Sequence, residues 1–266
     1  MTARLEQVLR TPRGRARLAA RFFPAFGVVS VVLVPVLASG VPMAGLWVAL
    51  AVLGCLVWAL VLARPRDRIA RRLPGATVVV RLGDLLAEEA DLVVGCGDTF
   101  DLDLSPDLLG PAREGGRDRL AEELDLALAG RVPTSVAARE AKPEGRLRRY
   151  PIGTVAVLGG GPRRRVYCLA CVRTGGEASM DDLWTALGRL WASVRESERV
   201  AVPLLGSELG LGGGSLVKLI VLSFAVQAEV WPVCRELVVV VPPEEAGPGE
   251  AGKVDLLELE GFLASL

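Results

Sequence analysis

Apolar and polar positions follow two regimes along this chain, and they meet near residue 64. Residues 22–63 form a run of 42 positions without a charged side chain, broken near its middle by Ser39-Gly40-Val41-Pro42, a turn signal. At about 1.5 Å of rise per residue and about 30 Å of hydrocarbon, roughly 20 apolar residues make one membrane span, so the run predicts two spans joined in a hairpin. A cleaved signal peptide is a poorer reading, because its apolar core runs only about 7–15 residues. A long core hairpin of a soluble protein is a further alternative, but such a helix keeps a polar face and neither half of the run has one. Pro24 and Pro35 are tolerated in a span where neighbouring helices satisfy the freed carbonyls. Gly45 and Gly54 allow close helix approach, and Trp47 and Trp58 stand near opposite ends of the second span, where indoles favour the interface.

After residue 73 the pattern shortens. Val-rich runs at Ala76–Arg81, Asp91–Gly95, Gly153–Leu158, Val166–Val172, Val200–Leu204 and Leu237–Val241 read as strands. Helix-period segments at Arg117–Ala129, Met180–Glu196 and Ser215–Ala228 fall between them. Strands apolar on both faces, with helices interleaved, predict a mixed α/β sheet covered on both sides. Trp184 and Trp191 share a predicted helix face with Leu183, Leu187 and Leu190, a stripe read as core. Residues 242–253, rich in Pro, Gly and Glu, read as a surface loop, and Val254–Leu266 closes the chain as a strand or a helix.

Charge sharpens the division. Residues 1–72 carry 11 Arg and 2 acidic residues, which leaves 20 basic against 29 acidic groups in the rest. Arginines flank the apolar run on both sides (Arg10, Arg13, Arg15, Arg17 and Arg21; Arg64, Arg66, Arg68, Arg71 and Arg72), and positive flanks are retained in the cytosol. The expectation is a two-pass protein of the inner (cell) membrane with both termini cytoplasmic. Its parts are a basic N-terminus at 1–21, a transmembrane hairpin at 22–63, a basic linker at 64–73 and one domain at 74–266. The basic anchor suits an anionic lipid bilayer, whereas an acidic head has no footprint for nucleic acid.

The chain has no His, which removes most catalytic triads and zinc sites. Of its five Cys, Cys168 and Cys171 form a C-x-x-C inside a predicted strand, where a separation of three sends the sulfurs to opposite faces. Both read as core side chains, and no metal or cofactor is expected.

Three loops follow predicted strands, where open α/β sheets bind ligands. In Gly95-Cys96-Gly97-Asp98-Thr99-Phe100-Asp101 the glycines permit close backbone approach, Asp98 and Asp101 can accept from ribose hydroxyls, and Phe100 can stack on a ring; an Asp-rich turn is the alternative. In Leu205-Gly206-Ser207-Glu208-Leu209-Gly210, continued by Leu211 to Ser215, glycines let amides converge at a helix N-terminus in a manner that suits a diphosphate. Neither a P-loop nor a G-x-G-x-x-G is present. Gly159-Gly160-Gly161-Pro162 reads as a hairpin turn.

These motifs resemble those of macro domains: Leu82-Gly83-Asp84-Leu85 before Asp91-Leu92-Val93-Val94-Gly95-Cys96-Gly97-Asp98, then Pro151-Ile152-Gly153-Thr154 and Pro203-Leu204-Leu205-Gly206-Ser207. With the two predicted spans, the chain resembles the transmembrane macro effectors of type II Thoeris anti-phage systems. The resemblance implies two N-terminal transmembrane helices before an α/β macro-like domain. It also implies a receptor for an ADP-ribose derivative of the histidine-ADP-ribose type, made by a TIR-domain partner, and a homo-oligomer that disrupts the membrane. By the same resemblance, Asp84 accepts from the adenine amino group, Asp98 and Asp101 line the distal ribose, and amides of Gly206 to Gly210 hold the diphosphate. The Asn-Ala-Ala-Asn loop of ADP-ribose hydrolases is replaced by Gly95 to Asp98, which favours binding without turnover. Glu208 stands where the phosphate loop usually has a further Gly, and it reads as an exposed loop residue or as a reader of a cationic group. A membrane-tethered hydrolase of ADP-ribose derivatives and a non-binding scaffold are the alternative functions.

Overall fold

Valine fits a pleated surface buried on both sides, and the central strands of the sheet in this protein are built from Val-rich runs. The computed structural model describes residues 19, 22–24, 26–31, 44–62, 67–101, 116–139, 142, 144–159, 164–175, 178–247 and 252–266. The chain divides into a unit of residues 1–67 with 256–258 and a unit of residues 68–255 with 259–266.

In the first unit, residues 22–24 and 26–31 are helical. Phe22 stacks on Phe26, and the Ser30 hydroxyl, polar in an apolar segment, donates to the Phe26 carbonyl at 2.7 Å. Helix α1 runs Ala44–Leu62. Pro35, the Ser39–Pro42 turn and the arginines at 10–21 and 64–66 lie outside the described residues.

The second unit holds a seven-stranded sheet in the order β1-β2-β9-β8-β3-β7-β6. Its strands are β1 (Arg68–Leu73), β2 (Ala76–Leu82), β3 (Asp91–Gly97), β6 (Val155–Leu158), β7 (Val166–Val172), β8 (Arg199–Val202) and β9 (Glu236–Val241). The five from β2 to β7 in that order run parallel, while β1 and β6 are antiparallel edges. A separate ribbon pairs β4 (Ser135–Val136) with β5 (Arg148–Arg149). Four helices accompany these strands: α2 (Gly116–Leu128), α3 (Met180–Ser193), α4 (Gly213–Val230) and α5 (Leu256–Ser265).

Alternation along β7 separates the two faces. Val166, Cys168 and Ala170 join Leu92, Leu120, Leu124 and Leu128 in the core beneath α2. On the opposite side α3 and α4 pack together, with Trp191 edge-on to Phe224 at 5.2 Å and its indole N–H donating to the Ser223 hydroxyl at 3.0 Å. The expected mixed α/β sheet with helices on both faces is therefore present. Cys168 and Cys171 are buried and free, and burial pushes their thiols up to about 12 and about 11. Among the described residues no group of three or more Cys, Asp or Glu is placed to hold a metal ion.

Two expectations change. Residues 68–73, inside the stretch read as a linker, form β1: Ile69 and Leu73 are buried, and Pro74 and Gly75 (φ 79°) turn the chain into β2. The arginines between those two apolar positions hid the strand. Trp184 is 44% exposed while Trp191 is fully buried, because Trp184 sits at the margin of the stripe made by Leu183, Leu187 and Leu190. The closing segment makes one bridge at Val254 to Ala246 and then the helix α5. Finally, α4 is long and apolar enough to cross a membrane by composition, yet Leu216, Val217, Ile220, Val221 and Phe224 bury one side of it in the core of the domain.

Candidate functional site

Parallel strands put their carboxyl ends on one edge of the sheet. The chain leaves β3 toward β7 but leaves β8 toward β9, so the connections diverge between β3 and β8 and a crevice opens outside their ends. The loop after β3 (Asp98–Asp101) and the loop after β8 (Pro203–Gly210) flank this point. Both were singled out from the sequence.

Gly95 lets these loops meet. A Cβ there would lie 2.8 Å from Leu205 Cδ2 and 3.1 Å from Cys171 Sγ, so a side chain would push the β8 loop off the sheet. Leu205 is buried. Gly206 then takes a left-handed conformation (φ 86°), and its own Cβ would meet Leu183 Cδ2 at 2.5 Å. Ser207–Leu209 form a 3-10 turn in which Leu209 N–H donates to the Gly206 carbonyl at 3.0 Å and Gly210 N–H to the Ser207 carbonyl at 3.2 Å. Two of the amides expected at a diphosphate are thus used inside the turn, and those of Ser207 and Glu208 stand at its head, outside that ladder. The second half of the glycine run serves packing instead. Gly213 N–H donates to the Gly252 carbonyl at 2.7 Å, and a Cβ on Gly212 would lie 3.0 Å from Gly252 Cα. The Glu208 side chain is exposed, and its charge adds to the burial that raises the Cys171 thiol.

On the β3 side, Asp98 is 6% exposed. Its Oδ1 accepts from Thr174 N–H at 2.9 Å and its Oδ2 lies 3.8 Å from Arg149 Nη1, so the carboxylate ties the end of β3 to the end of β7. Gly97 makes this approach possible, since a Cβ there would meet Thr174 Oγ1 at 2.8 Å. Thr99 Oγ1 lies 3.0 Å from Thr174 Oγ1 and donates to Asp101 Oδ2 at 2.7 Å. Asp101 also pairs with Lys142 Nζ and accepts from Arg146 N–H at 2.6 Å. Partial burial pushes the Asp101 carboxyl up, but the Arg146, Lys142 and Thr99 bonds outweigh it and hold it below the usual carboxylate range. The residues between β4 and β5 therefore strap the β3 loop in place.

Two site expectations are corrected. Phe100, read as a stacking platform, is fully buried with its ring edge-on to Tyr150 at 5.6 Å, and its backbone has φ 54°. The Cys96 side chain points into the core beneath α2, where burial raises its thiol well above its ordinary value, so only its backbone faces the edge. Asp84 caps the 3-10 turn Leu85–Ala87 at the end of β2: its Oδ1 accepts from Leu86 N–H at 3.0 Å and the residue is exposed. Thr174, Lys142 and Arg149 were not anticipated. Thr174 was within reach of the strand-end rule applied to β7, whereas Lys142 and Arg149 sit in a polar stretch with no local signal.

Comparison with curated proteins returns no match. Among solved structures the chain is similar to a mutant macrodomain of Oceanobacillus iheyensis, at 13% identity over 75% of this chain and 99% of that one, with a TM-score of 0.48. It is also similar to the Oceanobacillus iheyensis macrodomain with ADP, at 12% identity over 74% and 95% with a TM-score of 0.44. The macrodomain of Mycobacterium tuberculosis DarG follows at 19% identity over 64% and 99%, with a TM-score of 0.40. The family model described as Thoeris protein ThsA, Macro domain, matches residues 78–242. With that match over more than half of its length, the chain belongs to the ThsA macro-domain family of Thoeris proteins.

Proposed function

We propose that this protein is a membrane-anchored receptor and effector that binds an ADP-ribose-derived signal along the carboxyl edge of its sheet. The observation that carries the reading is the order of three loops. Asp84 follows β2, the Gly206–Gly210 turn follows β8, and Asp98–Asp101 follow β3, with β9 and β8 standing between β2 and β3. Strands spaced about 4.8 Å apart put the first and last loops about 14 Å apart, room for an adenine, a diphosphate and a distal ribose laid across the edge in that order.

In this reading Asp84 takes the adenine amino group and the amides of Ser207 and Glu208 meet the diphosphate. Asp101, the more exposed of the two acids, meets the distal ribose. Asp98 supports the loop through Thr174. The ligand is of the histidine-ADP-ribose type, supplied by a TIR-domain protein. Residues 22–63 cross the inner membrane twice with both termini in the cytosol, and ligand binding drives copies of the chain to assemble and breach the bilayer. Such coupling requires tighter ligand binding in the assembled state than in the resting one. Both acids near the ribose are engaged by protein donors, which favours binding without turnover over hydrolysis.

Calorimetric titration of the full chain in nanodiscs with histidine-ADP-ribose, ADP-ribose and ADP tests the site, and dye release from vesicles tests the effector. Heat of binding that Asp84→Ala abolishes, with leakage only in the presence of the conjugate, is expected. No heat with any of the three overturns the site, and tight binding without leakage overturns the effector.

A further inference from the structure

Several arginines of the sheet domain face carboxylates, as Arg149 faces Asp98 at 3.8 Å. Arg81, Arg146, Arg165, Arg173, Arg199 and Arg235 pair with Glu88, Asp125, Glu196, Asp182, Glu236 and Glu198 respectively. Arg68, Arg71 and Arg72, all on β1, are exposed and enter no ion pair with the described residues. Three unneutralised cations thus lie along one edge of a domain in which acidic residues outnumber basic ones from residue 73 onward.

The strand that carries them is an edge. Among the described residues β1 pairs only with β2, and its Ile69 and Leu73 are anchored in the core, so the arginines are displayed on a rigid element. Charged side chains on an edge deter pairing with another strand. Antiparallel pairing of β1 with β1 of a second copy would also set arginine against arginine. What the edge favours is an anionic partner that needs no strand geometry.

The sequence names the nearest one. β1 begins six residues after Leu62, the end of α1, and six residues reach at most about 20 Å. We infer that β1 is a lipid-docking strand, on which Arg68, Arg71 and Arg72 bind the phosphate headgroups of an anionic membrane and hold the domain edge-on to the bilayer. This rests on the reading of residues 22–63 as the membrane anchor. Each cation at such a surface changes its occupancy by about fivefold, and the effect weakens with salt.

The test uses the full chain in vesicles with a fluorophore on Ala70→Cys, exposed on β1, and a shallow headgroup-level quencher in the lipid. A second label at Gly130→Cys, after α2, is the reference. Quenching at position 70 that exceeds that at 130, that requires phosphatidylglycerol in place of a purely phosphatidylcholine membrane, and that Arg68→Glu/Arg71→Glu/Arg72→Glu cuts by at least half is the expected result. Equal quenching in neutral vesicles, or none at position 70, overturns the docking strand while flotation of the chain with the vesicles leaves the anchor intact. Failure to float overturns the anchor and the docking strand together. Unchanged circular dichroism of the triple variant assigns its loss to charge, and a collapsed spectrum with quenching retained in the single Arg72→Glu variant overturns the inference.

Discussion

Thr174 N–H donates to Asp98 Oδ1 at 2.9 Å, and with the bond from Asp98 N–H to the Val172 carbonyl at 2.8 Å it joins the ends of two neighbouring parallel strands beneath the loop proposed to meet the ligand. Asp98→Ala leaves the Thr174 amide without its acceptor in a part-buried setting, a loss of about 1–3 kcal/mol. Asp98→Asn keeps an acceptor oxygen and is expected to lose less than half as much. Urea denaturation of both variants checks the order. If Asp98 instead acts mainly by contacting ligand, both variants lose binding and neither loses stability.

Gly206 is held by conformation and by space at once. Its φ of 86° is one that an L side chain adopts at a cost of about 1–2 kcal/mol, and a Cβ there would run into Leu183 Cδ2. Gly206→Ala is therefore expected to destabilise the domain by about 2–4 kcal/mol and to abolish nucleotide binding. Gly210→Ala (φ 66°), where a Cβ meets open space, costs only the conformational part. Paired denaturation curves give the difference, and calorimetry tells whether the loop still binds.

The two loops at the crevice were legible in the sequence because each combines glycine with polar residues directly after a Val-rich run, and strand polarity alone then brings them to one edge. β7 was legible to the residue, since its apolar run ends in charge on both sides. The chemistry inside the loops was less so. Phe100 reads as a ligand platform from its neighbours Asp98 and Asp101, yet its positive φ turns the ring inward onto Tyr150, and no local pattern announces that turn. Lys142 reaches Asp101 across 41 positions of sequence, a contact fixed by tertiary structure. β1 was hidden because its exposed arginines outweigh the two apolar positions that specify it.

Asp101 makes the strap sensitive to acid. Its carboxyl titrates below its unfolded value, so its contribution is complete above the ordinary carboxylate range, near pH 4, and is lost as pH falls through the lower folded value. Hydrogen exchange at the Arg146 amide is expected to accelerate, relative to the intrinsic rate, as the pH drops below about 4. Asp101→Asn removes that dependence and exchanges faster at neutral pH. An unchanged profile in the variant excludes Asp101 as the group that holds the strap.

A chain begun at residue 74 removes a strand and not a linker. Burial of Ile69 and Leu73 is worth about 1.5–3 kcal/mol each, and without them β2 becomes an uncovered apolar edge. Such a chain is expected to be roughly 3–6 kcal/mol less stable than one begun at residue 67 and to aggregate. Equal melting temperatures for the two would show that β1 adds nothing to the sheet.

Phe100 separates packing from recognition. With the ring fully buried, Phe100→Ala is expected to cost about 3–5 kcal/mol of stability, whereas Phe100→Leu keeps most of the volume and costs under about 1.5 kcal/mol. Because the ring meets Tyr150 and not the crevice, the Leu variant is expected to bind nucleotide within about twofold of the parent, short of the loss that removal of an aromatic partner brings. A tenfold or greater loss of affinity in the Leu variant at unchanged stability would return Phe100 to the ligand and require the loop after β3 to turn outward when it binds.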